Sequence, residues 1–273
     1  MKSSLIILTR NEISGVKSLI GKIPFSAVDE YFAVDYRSTD GTVQFFNKKK
    51  IPVIQQKKPG RAEAFRIGAA CARGKYLIFF SPDGNEDPAD IPKLIKLLDS
   101  GADLAIASRF LPGARNEEDD NIFKMRKWAN QGFTLIANII FNKIPTVENR
   151  KSRIDFENRR WKLERKQIYS LSSIFQFLSS TFHLPPSELY ITDSINGYRA
   201  ITKTAFQRLK LDAEGFAVEY QMTIRALKLG LKIAEIPTIE GPRLGGQSGS
   251  FALPTGLKFI YYLIREVFIG KNF

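Results

Sequence analysis

The sequence predicts an α/β fold in which a mostly parallel central sheet is flanked by helices. Two observations indicate this fold: short apolar runs alternate with longer helical patterns up to residue 107, and the apolar runs end in polar turns. Such alternation is typical of parallel sheets, in which a helix connects one strand to the next. A chain of 273 residues is long enough for one large domain or two small ones.

Five apolar runs in this part of the chain are predicted as strands. They lie at residues 5–8, 31–35, 51–54, 76–80 and 102–107. Two helices are predicted at residues 60–73 and 88–100. Because ligands bind at the carboxyl ends of the strands in such sheets, the polar turns after these runs are the expected site.

The rest of the chain is less regular. Helices are predicted at residues 122–141, 204–209 and 218–229, and a strand at 232–236. Residues 146–190 form an insert that is basic in its first part and apolar in its second, and residues 251–273 are predicted as a C-terminal amphipathic helix. We accordingly divide the chain into 1–115, 116–250 with its helical insert, and 251–273.

The residue composition excludes several kinds of site. The chain has one cysteine, Cys71, and one histidine, His183. These exclude a disulfide scaffold, a cysteine-cluster zinc or iron–sulfur site and a multi-histidine metal site. The chemistry therefore has to come from carboxylates, basic residues and backbone amides.

The charge balance predicts an anionic partner. Forty-one Lys and Arg residues against 28 Asp and Glu give a formal net charge of +13. Anionic lipid, nucleic acid and a phosphorylated substrate are the candidates, and a basic soluble surface is the alternative. The run Leu5–Leu8 is too short for a secretory signal, and no run approaches the ~18 apolar residues of a membrane span. We therefore expect a cytoplasmic protein.

Five short motifs carry a resemblance to a known family. They are Leu8-Thr9-Arg10-Asn11-Glu12, Val34-Asp35-Tyr36-Arg37-Ser38-Thr39-Asp40-Gly41-Thr42, Phe80-Ser81-Pro82-Asp83, Ala107-Ser108-Arg109-Phe110 and Asp193-Ser194-Ile195-Asn196-Gly197-Tyr198-Arg199-Ala200. Each resembles a motif of the family 2 glycosyltransferases with the GT-A fold. Together they resemble the polyprenyl-phosphate sugar transferases, the dolichyl-phosphate mannose synthase group, over about residues 4–145 and 190–250.

This resemblance implies a fold and a reaction. The fold would be that of GT-A nucleotide-diphospho-sugar transferases, with residues 1–115 as the nucleotide-sugar-binding half and residues 116–250 as the acceptor-binding half. The reaction would be inverting transfer of a sugar from a UDP- or GDP-linked donor to a polyprenyl phosphate or a glycolipid-like membrane acceptor. Two alternatives stay open: transfer to a glycan hydroxyl in polysaccharide assembly, and a non-catalytic GT-A module that binds lipid or nucleic acid.

The donor-binding residues implied by the resemblance lie at the carboxyl ends of predicted strands or in the turns that follow them, apart from Arg61, which lies at the start of a predicted helix. They are Thr9, Asn11, Glu12, Asp35, Arg61, Ser81, Asp83 and Asn85. Asp83 is the expected ligand of Mg²⁺ or Mn²⁺, because these ions favour carboxylate and phosphate oxygens and would neutralise the leaving diphosphate. Asp35 and Glu12 would accept hydrogen bonds from the base and ribose, and Arg61 would contact the base.

The motifs depart from the family pattern at three positions. Ser81 stands where the family has its first metal-binding aspartate, Tyr36 replaces the second aspartate of the strand-two pair, and Arg37 replaces a glycine. One carboxylate together with the diphosphate and water can still hold a divalent ion. A divergent donor or a lost activity is the alternative interpretation.

The acceptor side is predicted to be basic. A lipid phosphate arrives already ionised, so it needs cations that position it rather than a strong base. Arg109 and Arg126 are the expected phosphate clamps and catalytic residues, Arg199 and Arg243 are expected to bind the acceptor, and Asp193 is the candidate base for a hydroxyl acceptor. For Arg109 and Arg199 the alternative is a buried ion pair, and for Asp193 it is a loop or helix cap.

The insert (146–190) and the C-terminal segment (251–273) predict the location of the protein in the cell. Basic residues beside an apolar helical stretch are what a helix needs to lie on an anionic membrane surface. We therefore expect peripheral attachment to the inner face of a membrane. The alternative is that both apolar stripes belong to the core or to the interface of a homo-oligomer. Nucleic acid is the less favoured partner, because no aromatic–basic stacking pattern supports it.

Overall fold

The computed structural model describes residues 1–119, 124–142, 190–244 and 252–273. Contacts group Met1–Asn142 with Ile191–Phe273 in one unit. The insert predicted at 146–190 lies outside the described residues, apart from Tyr190. The division into two halves and a tail stays a prediction.

A seven-stranded sheet forms the centre of the described unit. Its strands are β1 (Ser3–Thr9), β2 (Glu30–Asp35), β3 (Val53–Gln55), β4 (Tyr76–Phe80), β5 (Leu104–Ser108), β6 (Arg199–Thr202) and β7 (Ile233–Pro237). They lie in the order β3-β2-β1-β4-β6-β5-β7. All neighbouring pairs are parallel except those of β6, which runs antiparallel to β4 and β5. The predicted α/β fold with a mostly parallel sheet is confirmed.

Helices cover both faces of this sheet. They are α1 (Ile13–Leu19), α2 (Thr42–Lys48), α3 (Arg61–Cys71), α4 (Ile91–Asp99), α5 (Met125–Phe141), α6 (Lys203–Leu209), α7 (Ala217–Lys228) and α8 (Ala252–Ile269). Three short 3₁₀ helices lie at Ile20–Lys22, Phe25–Ala27 and Pro88–Asp90. The predicted C-terminal helix is confirmed as α8, whereas the sequence patterns missed α1, α2 and β6.

The apolar runs are nearly continuous because the strands are buried on both faces. In β1, Ile6 and Leu8 belong to the core on one face of the sheet, and Leu5 and Ile7 belong to the core on the other. Successive side chains of a strand point to opposite faces, so one four-residue run serves both cores.

The antiparallel direction of β6 determines which loops lie next to each other at the carboxyl edge of the sheet. Arg199 at its beginning pairs with Phe79 near the end of β4 and with Ile106 near the end of β5. Because β6 is antiparallel to its neighbours, its amino end lies at the edge where theirs are carboxyl ends. The segment before β6, which carries Asp193, therefore lies beside the turn after β5.

The C-terminal helix α8 packs on α5 and α7. The ring of Phe259 lies 5.3 Å from that of Phe133 on α5 and 5.4 Å from that of Tyr220 on α7, measured between centroids. Glu266 of α8 is completely buried and forms ion pairs with Arg225 and Lys228 of α7. The helix is thus held by an apolar contact near its beginning and a charged contact near its end.

Candidate functional site

The turns after β1 and β2 are joined at the carboxyl edge of the sheet. The hydroxyl of Thr9 donates to Asp35 Oδ1 at 3.1 Å, and both the backbone N–H and the hydroxyl of Ser38 donate to the Asp35 carboxylate. Asp35 is completely buried. The Asp35 carboxylate and the Thr9 hydroxyl therefore hold these two turns together, and the donor contacts predicted for both residues stay predictions.

Asn11 continues this junction. Its backbone N–H donates to Ser38 Oγ at 2.8 Å, and its side-chain Oδ1 accepts a 2.8 Å hydrogen bond from the backbone N–H of Thr39. It adopts a φ of 55°, a left-handed conformation that asparagine tolerates better than most residues. Asn11 thus fixes the entry to α1, which directly follows Glu12.

Glu12 and Asp83 meet on the two guanidinium nitrogens of one residue, Arg243. The Nη1 of Arg243 lies 3.0 Å from Asp83 Oδ2, and its Nη2 donates to Glu12 Oε1. Burial raises the pKa of Glu12 to about 7, although Arg243 opposes the shift. Arg243, which was predicted to bind the acceptor, lies beside two predicted donor residues, and its role stays a prediction.

The oxygen atoms around Asp83 suit a hard cation. Asp83 Oδ1 accepts from the backbone N–H of Asn85 at 3.2 Å. Among the described residues, Glu12 Oε2 and Asn85 Oδ1 are buried without a hydrogen-bond partner. No three His, Cys, Asp or Glu side chains in the described ranges are grouped to hold a metal. These donors therefore fit a divalent ion that takes its remaining ligands from substrate phosphate and water, as Mg²⁺ commonly does.

Gly15 lets α1 lie against the turn that carries Asp83. A Cβ placed on Gly15 would be 1.9 Å from the carbonyl oxygen of Pro82, far inside van der Waals contact. The backbone of the loop after β4 therefore packs directly against α1 at Gly15. This contact fixes the position of Glu12, which precedes α1, relative to Asp83.

Arg61 lies in a buried charged cluster beneath the donor residues. It pairs with Glu219 on α7, donates to Ser81 Oγ at 2.9 Å and lies 3.9 Å from Glu86. Burial raises the pKa of Glu86 well above its usual value. A Cβ on Gly197 would lie 1.9 Å from Arg61 Nη2, so a larger residue there would displace the Arg61 guanidinium. Arg61 and Ser81 are thus engaged with protein groups, and their donor contact stays a prediction.

Arg109 and Asp193 form the main ion pair on the predicted acceptor side. Arg109 Nε lies 2.7 Å from Asp193 Oδ2, and its Nη2 lies 3.0 Å from Asp193 Oδ1. Burial opposes ionisation of Asp193, but Arg109 outweighs it and lowers the pKa of that carboxyl. A completely buried carboxylate with a low pKa is a poor base. Asp193 therefore holds Arg109 in position, and the base role predicted for a hydroxyl acceptor stays a prediction that this ion pair disfavours.

Arg126 is connected to the carboxyl edge of the sheet through the carboxylate of Glu117. Its Nη1 lies 3.2 Å from Glu117 Oε1, and Glu117 Oε2 accepts a 3.0 Å hydrogen bond from Asn85 Nδ2. Glu117 belongs to none of the sequence motifs described above. The structure makes it the link between a predicted acceptor residue and a predicted donor residue.

Arg199 does not face the acceptor side. It is completely buried, and its guanidinium donates to the backbone carbonyls of Asn196 and Glu219. Burial lowers the pKa of Arg199 to about 10. These contacts tie the start of β6 to α7 and favour the alternative of a buried structural role, while the acceptor-binding role of Arg199 stays a prediction.

Two carboxylates that sequence patterns did not single out support the acceptor side. Glu235 of β7 accepts hydrogen bonds from the backbone N–H groups of Thr192 and Asp193, at 2.8 and 2.9 Å. Burial raises the pKa of Glu235 to about 7. Glu240 lies 3.7 Å from Arg109. Neither belongs to a motif, and both come to the site because β7 pairs with β5.

Comparison with known proteins finds glycosyltransferases that match most of the chain. The chain is 23% identical over 239 residues to glycosyltransferase AglJ of Haloferax volcanii, covering 87% of this chain and 62% of the relative. It is 24% identical over 256 residues to the dolichol-phosphate mannosyltransferase of Pyrococcus furiosus, covering 91% and 59%. It thus spans about three fifths of the length of these two relatives. The polyprenol monophosphomannose synthase of Mycolicibacterium smegmatis is 23% identical, with 86% of this chain and 76% of that protein covered.

Solved structures share the architecture. The glucosyl-3-phosphoglycerate synthase from Mycobacterium tuberculosis, solved with Mn²⁺, uridine diphosphate and phosphoglyceric acid, superposes with a TM-score of 0.61 at 17% identity. That match covers 99% of this chain and 78% of the other. It confirms the predicted GT-A fold. The model of Glycosyl transferase family 2 matches residues 4–167, which is more than half of the chain. On this match, with the motifs now placed at one edge of the sheet, the chain belongs to glycosyl transferase family 2.

Proposed function

We propose that this protein moves a sugar from a nucleotide-sugar to a polyprenyl phosphate, with inversion at the sugar carbon. The proposal rests on one observation: ion pairs and hydrogen bonds connect the predicted donor side to the predicted acceptor side along the carboxyl edge of the sheet. The Glu12–Arg243–Asp83 contact lies on the donor side, and Asn85 and Glu117 connect it to Arg126 on the acceptor side. Relatives named for transfer to dolichol phosphate and for polyprenol monophosphomannose synthesis support this choice of acceptor.

The donor side is arranged for a leaving diphosphate. Asp83, with Glu12 or Asn85, would hold a divalent ion, Mg²⁺ or Mn²⁺, which would neutralise the charge that builds up on the diphosphate. Arg243 contacts the same two carboxylates, so the ion and this guanidinium are alternative partners for them. With a cation on the two carboxylates, Arg243 would instead donate to the phosphate oxygens, which arginine does with two parallel hydrogen bonds.

The acceptor side is arranged for an ionised nucleophile. A phosphate oxygen of the acceptor attacks the anomeric carbon; the new carbon–oxygen bond forms as the bond to the diphosphate breaks, and the nucleoside diphosphate leaves. No proton has to be removed, so the ion-paired state of Asp193 is no obstacle. Transfer to a glycan hydroxyl does need a base, and the low pKa of Asp193 disfavours that alternative.

We also propose that the chain works at a membrane surface. None of the described helices has both the length and the hydropathy that a membrane span requires. Helix α8 nevertheless exposes a row of large apolar residues: Leu253, Leu257, Ile260, Tyr261, Ile264, Val267 and Phe268. Ile139 and Ile140 of the neighbouring α5 are exposed as well. Lys258, Lys271 and the net charge of +13 favour an anionic surface.

Product analysis tests the proposed reaction. The full chain is incubated with UDP- and GDP-linked hexoses, Mg²⁺ or Mn²⁺, and either a short-chain polyprenyl phosphate or a glycan without phosphate. We expect an acid-labile polyprenyl-phosphate sugar with one of the donors, and none with Asp83→Asn. Transfer to the glycan alone, or no transfer with any donor, contradicts the proposal.

Vesicle flotation tests the membrane surface. We expect the full chain to bind vesicles that contain anionic lipid, and the double variant Leu257→Glu, Ile264→Glu to lose this binding while keeping its helical circular dichroism. The exposed pair Lys22→Gln, Lys49→Gln serves as the control, since it lowers the net charge by the same two units at positions away from α8. Equal binding by the double variant and the wild type contradicts the role of α8.

A further inference from the structure

We infer that Thr134 and Asn138 of α5 are positioning residues for the acceptor, although neither belongs to the site itself. They hold the segment Ile191–Ser194, which we call the Asp193 segment. Its aspartate forms the ion pair with Arg109, the expected clamp of the acceptor phosphate. This inference rests on the proposed function.

Thr134 and Asn138 are polar side chains on the buried face of α5. They are 3% and 2% exposed, whereas Ile136 and Ile139 of the same helix are exposed. A helix that packs on a core normally has the opposite arrangement, with its apolar residues inside. Burying a polar group is costly unless it is hydrogen-bonded. The contribution of these two side chains is therefore to be sought in the hydrogen bonds that they make.

Asn138 bonds to both backbone groups of Ile191. Its Oδ1 accepts from the backbone N–H of Ile191 at 3.1 Å, and its Nδ2 donates to the carbonyl oxygen of the same residue at 2.8 Å. Residues that face each other in an antiparallel sheet exchange two bonds in this way. The pair of bonds fixes both the position and the orientation of Ile191, at the beginning of the Asp193 segment.

Thr134 holds the other end of the Asp193 segment. Its hydroxyl accepts a 3.1 Å hydrogen bond from the backbone N–H of Ser194 and lies 2.7 Å from the hydroxyl of that residue. Ser194 is completely buried. Because a buried backbone N–H needs an acceptor, the position of Ser194 depends on the Thr134 hydroxyl.

The two residues between these ends are held from β7. Glu235 accepts from the backbone N–H groups of Thr192 and Asp193, at 2.8 and 2.9 Å. All four backbone N–H groups of the Asp193 segment are thus bonded to side chains of α5 and β7. The segment forms neither a helix nor a strand, so these side chains determine where it lies.

The Asp193 carboxylate transmits this position to Arg109. It accepts from the backbone N–H of Arg109 at 3.2 Å as well as from the guanidinium, so both parts of that residue are tied to the Asp193 segment. A small displacement of a group that orients a reactant can cost a large factor in rate. Loss of a bond from α5 should therefore weaken acceptor binding without any contact between α5 and the acceptor phosphate.

Steady-state kinetics with a short-chain polyprenyl phosphate test this inference. Thr134→Val keeps the shape of the side chain and removes its hydroxyl, whereas Thr134→Ser keeps the hydroxyl. We expect Thr134→Val to raise the KM for the acceptor about fivefold or more and to leave the KM for the donor nearly unchanged. Thr134→Ser should retain the acceptor KM of the wild type. Asn138→Ala should act in the same direction as Thr134→Val, which decides alone if Asn138→Ala does not fold.

Thr202→Val is the matched control for lost stability. Thr202 caps the beginning of α6, where its hydroxyl accepts a 3.2 Å hydrogen bond from the backbone N–H of Ala205. It lies at the carboxyl end of β6, away from the Asp193 segment. Its replacement also removes one hydrogen bond to a backbone N–H, so it should lower the melting temperature without changing either KM.

A double-variant cycle shows whether the effect depends on Arg109. Thr134→Val is combined with Arg109→Lys, and the loss in kcat/KM for the acceptor is compared with the loss that Thr134→Val causes alone. Residues that act through one another are not additive. We expect a clearly smaller loss in the Arg109→Lys background, and an undiminished loss there would overturn the inference.

The outcomes separate this inference from the proposed function. If the wild type transfers sugar to polyprenyl phosphate and Thr134→Val leaves the acceptor KM unchanged, the inference is wrong and the proposed function stands. If Thr134→Val raises both Michaelis constants equally, or Thr202→Val has the same effect, the change acts through the stability of the fold and the inference is again wrong. If the wild type makes no polyprenyl-phosphate sugar, the proposed function and the inference both fail.

Discussion

Replacing Glu266 with alanine is expected to lower the free energy of unfolding by about 3–5 kcal/mol. The Glu266 carboxylate is completely buried; Oε1 accepts from Arg225 Nε at 2.8 Å, and Oε2 lies 2.6 Å from Lys228 Nζ. The variant leaves two buried cations without this carboxylate, and removal of one partner of a buried pair is far more costly than loss of an exposed one. Urea unfolding followed by circular dichroism measures the change.

Glu214→Ala is the matched control for Glu266→Ala. Glu214 also pairs with a lysine of its neighbourhood, Lys258, but at 3.7 Å and with a largely exposed carboxylate. Its replacement should change the free energy of unfolding by less than about 1 kcal/mol. A Glu266→Ala variant that is no less stable than Glu214→Ala would show that the buried charges do not hold α8 to α7.

Replacing Arg109 with lysine is expected to lower kcat/KM for a polyprenyl-phosphate acceptor about 30-fold or more, which is about 2 kcal/mol. Lysine keeps the positive charge beside Asp193 but cannot donate to both carboxylate oxygens while presenting further N–H groups to a phosphate. The pair should survive in weakened form, so the protein still folds. The loss should appear mainly in the KM for the acceptor, with the KM for the donor nearly unchanged.

Arg208→Lys is the control for this measurement, because Arg208 is exposed on α6. It should leave both Michaelis constants unchanged. An Arg109→Lys variant that raises the KM for the donor and spares that for the acceptor would reverse the assignment of the two sides of the site.

Motif positions place the predicted donor carboxylates at one edge of the sheet, but they do not predict contacts between distant segments of the chain. Asp83 and Glu12 lie at strand ends, and parallel strands bring their carboxyl ends to one edge, so local patterns were sufficient to place them. Arg243 is 231 residues from Glu12, which it contacts. Such a pairing depends on the order of the strands, which the sequence patterns did not specify.

The reversal of β6 explains most of what the sequence patterns missed. This strand has four residues, Arg199–Thr202, and begins inside a motif that predicted binding residues rather than a strand. Its arginine is buried because a central strand has no exposed face. The same reversal brings Asp193 to Arg109 as a positioning group. The helices α1 and α2 were missed because each is only seven residues long and gives few turns of apolar periodicity.

Asp83, with Glu12 or Asn85, is proposed to hold the diphosphate of the donor through a divalent ion, and the rest of the proposed mechanism depends on this contact. Calorimetric titration of UDP and GDP with and without Mn²⁺, into the wild type, Asp83→Asn and the exposed control Asp99→Asn, tests it most directly. We predict that Mn²⁺ strengthens nucleotide binding at least tenfold in the wild type and in Asp99→Asn, and leaves it unchanged in Asp83→Asn. An undiminished gain from Mn²⁺ in Asp83→Asn would contradict the account.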